Sequence, residues 1–151
     1  MASDSQAFTV FFDHIENILC SKVRIDNPYN PEIMPAPAFA DEFEAVWDTG
    51  ATSTVISRKV AQYLCLKPIG FREVHHGGGK DICQVFLVSM LLPHHIILPY
   101  MEIIESNLTS CDVLIGMDII NQGDFAVSNF QKRTTFTFRT PSLQHFDFLS
   151  R

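Results

Sequence analysis

Apolar and polar positions alternate over several short stretches of this chain, which predicts strands as its main elements. Phe8-Thr9-Val10-Phe11-Phe12 is one β-type run, and Lys22-Val23-Arg24-Ile25-Asp26 alternates as a half-buried strand does. Pro28, Pro31, Pro35 and Pro37 then mark a loop between Asn27 and Asp41, because proline has no N–H to give to a ladder. Strand character resumes at Phe43 and runs to Asp48. After a short polar turn, Thr54-Val55-Ile56 carries the chain away as a second β-branched run. Ser57 is placed to cap a helix beginning at Arg58, with Val60 and Leu64 one turn apart on one face and Pro68 closing it.

The second half continues the pattern. Phe71–Val74 starts a strand that reaches His75-His76-Gly77-Gly78-Gly79-Lys80, and Asp81 to Leu92 is β-rich, apolar on both faces from Val85 as in a strand covered on two sides. Two strands around three glycines predict a hairpin with a mobile tip. A phosphate loop is a poor match, since Gly79-Lys80 is followed by Asp81 where Ser or Thr is needed. His95 to Glu105 is another β-type segment, and Pro99 within it predicts an edge or a bulge. From Cys111 to Gly123 an apolar strand ends at Gly116 and a helix of one or two turns follows, with Gly123 as the residue that stops it. Phe125–Ser128 and Arg133–Arg139 alternate as a hairpin joined at 129–132, and a tail from Pro141 offers Phe146 and Phe148 for docking.

Composition narrows the class. With 151 residues, 46% apolar and 19% charged, the chain predicts one globular domain with a sizeable core. Its parts are a core of about residues 22–140, an N-terminal strand and extension over 1–21, and a tail over 141–151. Thirteen Phe against one Trp and three Tyr favour β-structure and a dry interior. The net charge of −6 is concentrated early, with nine Asp/Glu and two Lys/Arg in residues 1–48, and no basic stripe suggests nucleic acid. Neither a signal-peptide pattern nor an apolar run of about 18 residues is present, so the expectation is a soluble cytoplasmic protein with no membrane partner. The widely spaced Cys20, Cys65, Cys83 and Cys111 then read as buried free thiols. His75-His76 and His94-His95 raise a metal site, but neighbouring residues of a strand face opposite ways, so each pair offers one ligand at most; no metal or other cofactor is expected.

The chemistry concentrates in Ala45-Val46-Trp47-Asp48-Thr49-Gly50-Ala51-Thr52-Ser53-Thr54-Val55-Ile56-Ser57. Asp-Thr-Gly alone is compatible with a plain turn. The longer string, with apolar residues before it and Thr-Val-Ile-Ser after it, resembles the active-site segment of the single-domain, retropepsin-like aspartic proteases. Ile115-Gly116-Met117-Asp118 resembles their second element, a hydrophobic-hydrophobic-Gly strand that packs beneath the active-site loop, and is most similar to bacterial and other non-viral members. The likeness covers about residues 22–140. It implies an all-β, closed-barrel acid-protease fold with one or two short helices.

By the same resemblance Asp48 is the catalytic carboxylate, and Thr49, Gly50, Ala51 and Gly116 support its loop. The hairpin tip His76, Gly77, Gly78 and Gly79 is implied as a flap over substrate. The chain carries a single Asp-Thr-Gly, so the pair of carboxylates that peptide hydrolysis uses implies a homodimer acting on a peptide or protein. Viral members have acidic residues after Asp-Thr-Gly-Ala and an Arg after the second Gly; here Thr52, Ser53 and Met117 stand there, so that ion pair is not available. The implied activity is that of an aspartic endopeptidase. The alternative is an inactive retropepsin-like module that dimerises or holds peptide.

Overall fold

A computed structural model describes residues 5–150 of the chain. Ten strands and two short helices follow one another as β1 (Gln6–Phe11), β2 (Cys20–Asp26), β3 (Glu42–Trp47), β4 (Val55–Ser57), α1 (Arg58–Tyr63), β5 (Gly70–His76), β6 (Gly79–Leu92), β7 (Ile96–Ser106), β8 (Val113–Ile115), α2 (Met117–Ile120), β9 (Asp124–Ser128) and β10 (Thr135–Thr140). Six strands close on themselves in the order β2-β3-β8-β4-β7-β6, because β2 pairs with β6 as well as with β3. Closure leaves none of the six with an open edge along its whole length. β5 lies outside the ring, paired only to the first half of β6.

Alternation accounts for the register. In β2 and β3 the buried residues are every second one, Ser21, Val23 and Ile25 in the former and Phe43, Ala45 and Trp47 in the latter, so each strand buries one face. β6 is buried on both faces from Val85 onward, as its continuous apolar run predicts. Pro99 lies where β7 has a ladder on one side only, since β4 reaches no further than Ile104–Ser106, and it sits at a bulge: Met90 faces Leu98 and Val88 faces Met101, so two residues of β7, Pro99 and Tyr100, oppose Ser89.

A second, three-stranded antiparallel sheet, β1-β10-β9, packs against the ring. Trp47 joins the two. Its ring stacks on Phe125 at 5.6 Å and meets Phe8 at 5.6 Å, Phe136 at 5.8 Å and Phe138 at 5.2 Å, while its Nε1–H donates to Ser21 Oγ at 2.9 Å. The aromatic cluster is therefore centred on the residue that precedes Asp48.

Three expectations are corrected. Gly123 does not stop α2, which ends at Asn121 in a right-handed conformation; a Cβ on Gly123 would fall 1.8 Å from the Arg139 carbonyl oxygen, so the glycine is there for close approach to β10. The thiols are not buried: Cys65 is exposed, and Cys20, Cys83 and Cys111 are half-buried, enough for desolvation to push each of those three up from the usual thiol range. Phe146 and Phe148 do not dock, being 48% and 96% exposed. The tail is instead tied at its base. Asp124, buried, accepts from Arg139 Nε at 3.0 Å and from the Leu143 N–H at 2.9 Å, and also from Arg139 Nη2 and the Ser142 hydroxyl. Among the described residues no helix is long and apolar enough to cross a membrane.

Candidate active site

β3 delivers Asp48 to the mouth of the barrel. Its N–H donates to the Ile115 carbonyl at 2.9 Å, adding one more bond to the parallel β3–β8 ladder that pairs Trp47 with Ile115. The chain then turns, with the Ala51 N–H on the Asp48 carbonyl at 3.2 Å and the Gly50 N–H on Asp48 Oδ1 at 2.8 Å. One carboxylate oxygen is thus fixed by the loop. No protein donor holds Oδ2 among the described residues, and Asp48 is only half-buried, so its free oxygen is open to a reactant. Gly50 is the right residue for this turn, since a Cβ there would crowd Asp48 Oδ1 at 3.1 Å.

The loop is locked from below by β8 and α2. A Cβ on Gly116 would lie 2.6 Å from the Ser53 carbonyl carbon and 2.9 Å from the Ala51 oxygen, so backbone packs on backbone at that point. The Met117 N–H donates to Ala51 O at 2.8 Å. Thr54, fully buried, completes the lock: its N–H and hydroxyl donate to the two oxygens of Asp118 at 2.9 and 2.7 Å, and its Oγ1 accepts the Gly116 N–H at 3.1 Å. Asp118 sits in the first turn of α2, where it also accepts the Ile119 N–H at 3.0 Å.

Above the loop lies a cleft of about 520 Å³ with Gly50–Ser53 and Val55 on one wall and Arg72–His75 of β5 on the other. Val55, Val74 and Ile104 give it apolar surface, and Ser106 and Arg72 give it polar surface. Asp48, Gly50, Ala51 and Gly116 form one local assembly through the loop bonds, with Thr49 inside the turn, and of these five only Gly50 and Ala51 line the cleft. The tip residues His76–Gly79 do not line the cleft; its hairpin wall comes from Arg72–His75. Within the tip only Gly79 takes a positive φ, 130°, while His76 Nε2 lies 3.0 Å from Asp81 and His76 Nδ1 lies 3.1 Å from the Gly78 N–H. His75 points the other way, to Glu73 at 3.1 Å. His94 and His95 lie on a 3-10 turn instead of a strand, both with positive φ, at the end of β6 away from the hairpin tip. Among the described residues no group of three or more His, Cys, Asp or Glu side chains is arranged to hold a metal ion.

Thr54 and Asp118 hold the loop without being among the site residues expected from the sequence. Their signal is faint: a hydroxyl in a β-branched run and an acid two residues after a glycine, joined only by the fold.

The architecture has solved counterparts. A retropepsin-like aspartic protease from Rickettsia conorii is similar over 93% of this chain and 98% of its own, with a TM-score of 0.55 and 8% identity. EIAV protease, solved in complex with the inhibitor HBY-793, is similar over 70% of this chain and 88% of its own, with a TM-score of 0.54 and 14% identity. This chain has the retropepsin-like fold. No protein-family model and no curated protein matches the sequence. At such identities the likeness speaks for the retropepsin-like barrel alone, and the chemistry has to be argued from Asp48 and its surroundings.

Proposed function

We propose that this chain is an aspartic endopeptidase that works as a homodimer and cuts extended peptides with apolar residues flanking the bond. One observation carries the reading: Asp48 stands at the mouth of a retropepsin-like barrel with one oxygen held by the Gly50 N–H at 2.8 Å and the other free, in a loop braced by Gly116, Thr54 and Asp118. A single carboxylate of this kind is half a catalytic pair, and a two-fold axis through the loops supplies the other half. Two carboxylates in contact do not both ionise, so the pair shares one proton. The ionised member takes a proton from a water held between them. The protonated member donates to the scissile carbonyl and supports the tetrahedral intermediate.

The cleft and the hairpin support the same reading. β5 ends the sheet, so its outer edge has free backbone donors and acceptors for an extended peptide, and the apolar part of the cleft suits an aliphatic or aromatic side chain. The test is hydrolysis of a peptide library over acidic pH by the wild-type chain and by Asp48→Asn. Cleavage that vanishes in the variant supports the enzyme. Peptide binding without cleavage by the wild-type dimer establishes the alternative, a module that holds peptide.

A further inference from the structure

The turn between β5 and β6 is clasped by a side chain of the hairpin itself. His76 Nδ1 lies 3.1 Å from the Gly78 N–H, and His76 Nε2 lies 3.0 Å from Asp81 Oδ2. A backbone N–H can only donate, so Nδ1 must be the accepting nitrogen and the ring proton must sit on Nε2, donated to Asp81. The imidazole in this arrangement is neutral. Its edge also packs on Gly78, where a Cβ would meet Cε1 and Nδ1 at 3.3 Å. Val74 pairs with Asp81 and Arg72 with Cys83, so strand alternation puts His76 and Asp81 on the face of Arg72, Val74 and Cys83; these three border the cleft, as do Glu73 and His75 of the opposite face.

A second proton undoes the clasp. Imidazole can take a second ring proton and become a cation. In the cation both nitrogens carry hydrogen: Nε2–H keeps Asp81 as an ion pair, while Nδ1–H meets the Gly78 N–H donor against donor, and the two must part. The hairpin's other charges are engaged elsewhere. Glu73 takes His75 and Lys80 at 3.1 Å each on the opposite face, and Arg72 pairs with Glu102 of β7 at 3.0 Å. Among the described residues Asp81 is the one charged partner of His76.

We propose that His76 is a positioning residue for the hairpin tip. Neutral, it folds the tip back on itself by occupying the Gly78 N–H; protonated, it frees that donor, which lies outside the cleft in this structure, for an extended peptide over which the tip closes. The clasp stands on its own, while its release to a peptide rests on the proposed endopeptidase. Amide exchange and ring-nitrogen shifts read by NMR separate the two. His76→Asn supplies a carbonyl that accepts from the N–H two residues on and does not titrate, and His76→Phe supplies no acceptor. In the wild-type chain, protection of the Gly78 amide, corrected for intrinsic exchange, should fall about fivefold as the His76 ring takes its second proton. It should stay constant over that range in His76→Asn and be absent throughout in His76→Phe. Protection that ignores the ring's titration, or that persists in His76→Phe, overturns the clasp. In peptide hydrolysis the KM of the wild-type chain relative to that of His76→Asn should drop about fivefold across the same titration, with the kcat ratio steady. A KM ratio that is flat with pH overturns the release, and an absence of hydrolysis in both chains overturns the endopeptidase while the Gly78 measurement still decides the clasp.

Discussion

At the scale of single residues, the site is a carboxylate whose position is set by neighbours that do no chemistry. Asp48→Asn keeps the shape and the Gly50 contact but removes the proton exchange, so turnover is expected to fall by about 10²–10⁴-fold or more with the thermal midpoint unchanged or raised. Near-normal turnover in that variant would end the proposal. Asp118 tests the support. Its carboxylate receives both donors of Thr54, and Asp118→Ala leaves the buried Thr54 N–H and hydroxyl without a partner, a loss of about 1–3 kcal/mol by urea titration. Asp118→Asn keeps one accepting oxygen and should recover part of it; equal stability of all three chains would show that the brace carries no weight. Asp48, Thr49, Gly50, Ala51 and Gly116 stand out in the sequence through the motifs they resemble, and the structure gives two of them a steric reason: a Cβ would crowd Asp48 Oδ1 at Gly50 and the Ser53 backbone at Gly116. Thr54 and Asp118 do not stand out, because 64 residues separate them and only the β8–β4 pairing brings them together.

At the scale of elements, most strands were readable from period-two alternation, and Ser57 caps α1 as its position predicts, accepting the Val60 N–H at 3.2 Å. What misled were residues whose reason lies across space: Gly123 looked like a helix stop but makes room for the Arg139 carbonyl, and the tail's aromatics looked like anchors when Asp124 holds its base. That anchor has a pH signature. The Leu143 N–H first, then the Ser142 hydroxyl and the Arg139 guanidinium, hold the Asp124 carboxyl far below the usual carboxylate range. A depressed folded-state value stabilises fully above the unfolded value of about 4, and is lost only as pH falls through the folded one. The stability gap between wild type and Asp124→Asn should thus be level from pH 7 to about 5, shrink below about 4, and still be measurable at pH 3 by urea unfolding. A gap already closed at pH 4 would contradict the geometry. For the β5–β6 hairpin, Gly78→Val puts a branched side chain against the His76 ring at 3.3 Å, and should lower turnover far more than the thermal midpoint if the hairpin closes on substrate. Unchanged turnover and peptide affinity would make it a simple turn.

At the scale of the whole molecule, the barrel, the terminal sheet and the Asp48 loop are one mechanical unit, since Trp47 fills the seam between ring and sheet one residue before the carboxylate. The chain pairs its own β1 with its own β10 along Gln6–Phe11, so those strands are satisfied without exchange between copies. A dimer that joins two Asp48 loops must therefore use surfaces other than the shared edge of β1 and β10. Its existence is open to a direct count. In the proposed homodimer, one Asp-Thr-Gly per chain makes activity a property of the two-fold axis, so specific activity should fall on dilution. Mixing wild-type chains with a growing excess of Asp48→Asn chains, under conditions where subunit exchange has been confirmed, is sharper. A mixed dimer has one Asp and one Asn and cannot share a proton between two carboxylates. With random pairing the wild-type dimer fraction is the square of the wild-type chain fraction, so a roughly threefold excess of variant should leave about a quarter of the activity per wild-type chain. Activity per wild-type chain that stays constant through the titration would mean that each barrel is complete alone, and Asp48 would then need a partner from within its own chain, which the neighbourhood of its free oxygen does not offer among the described residues.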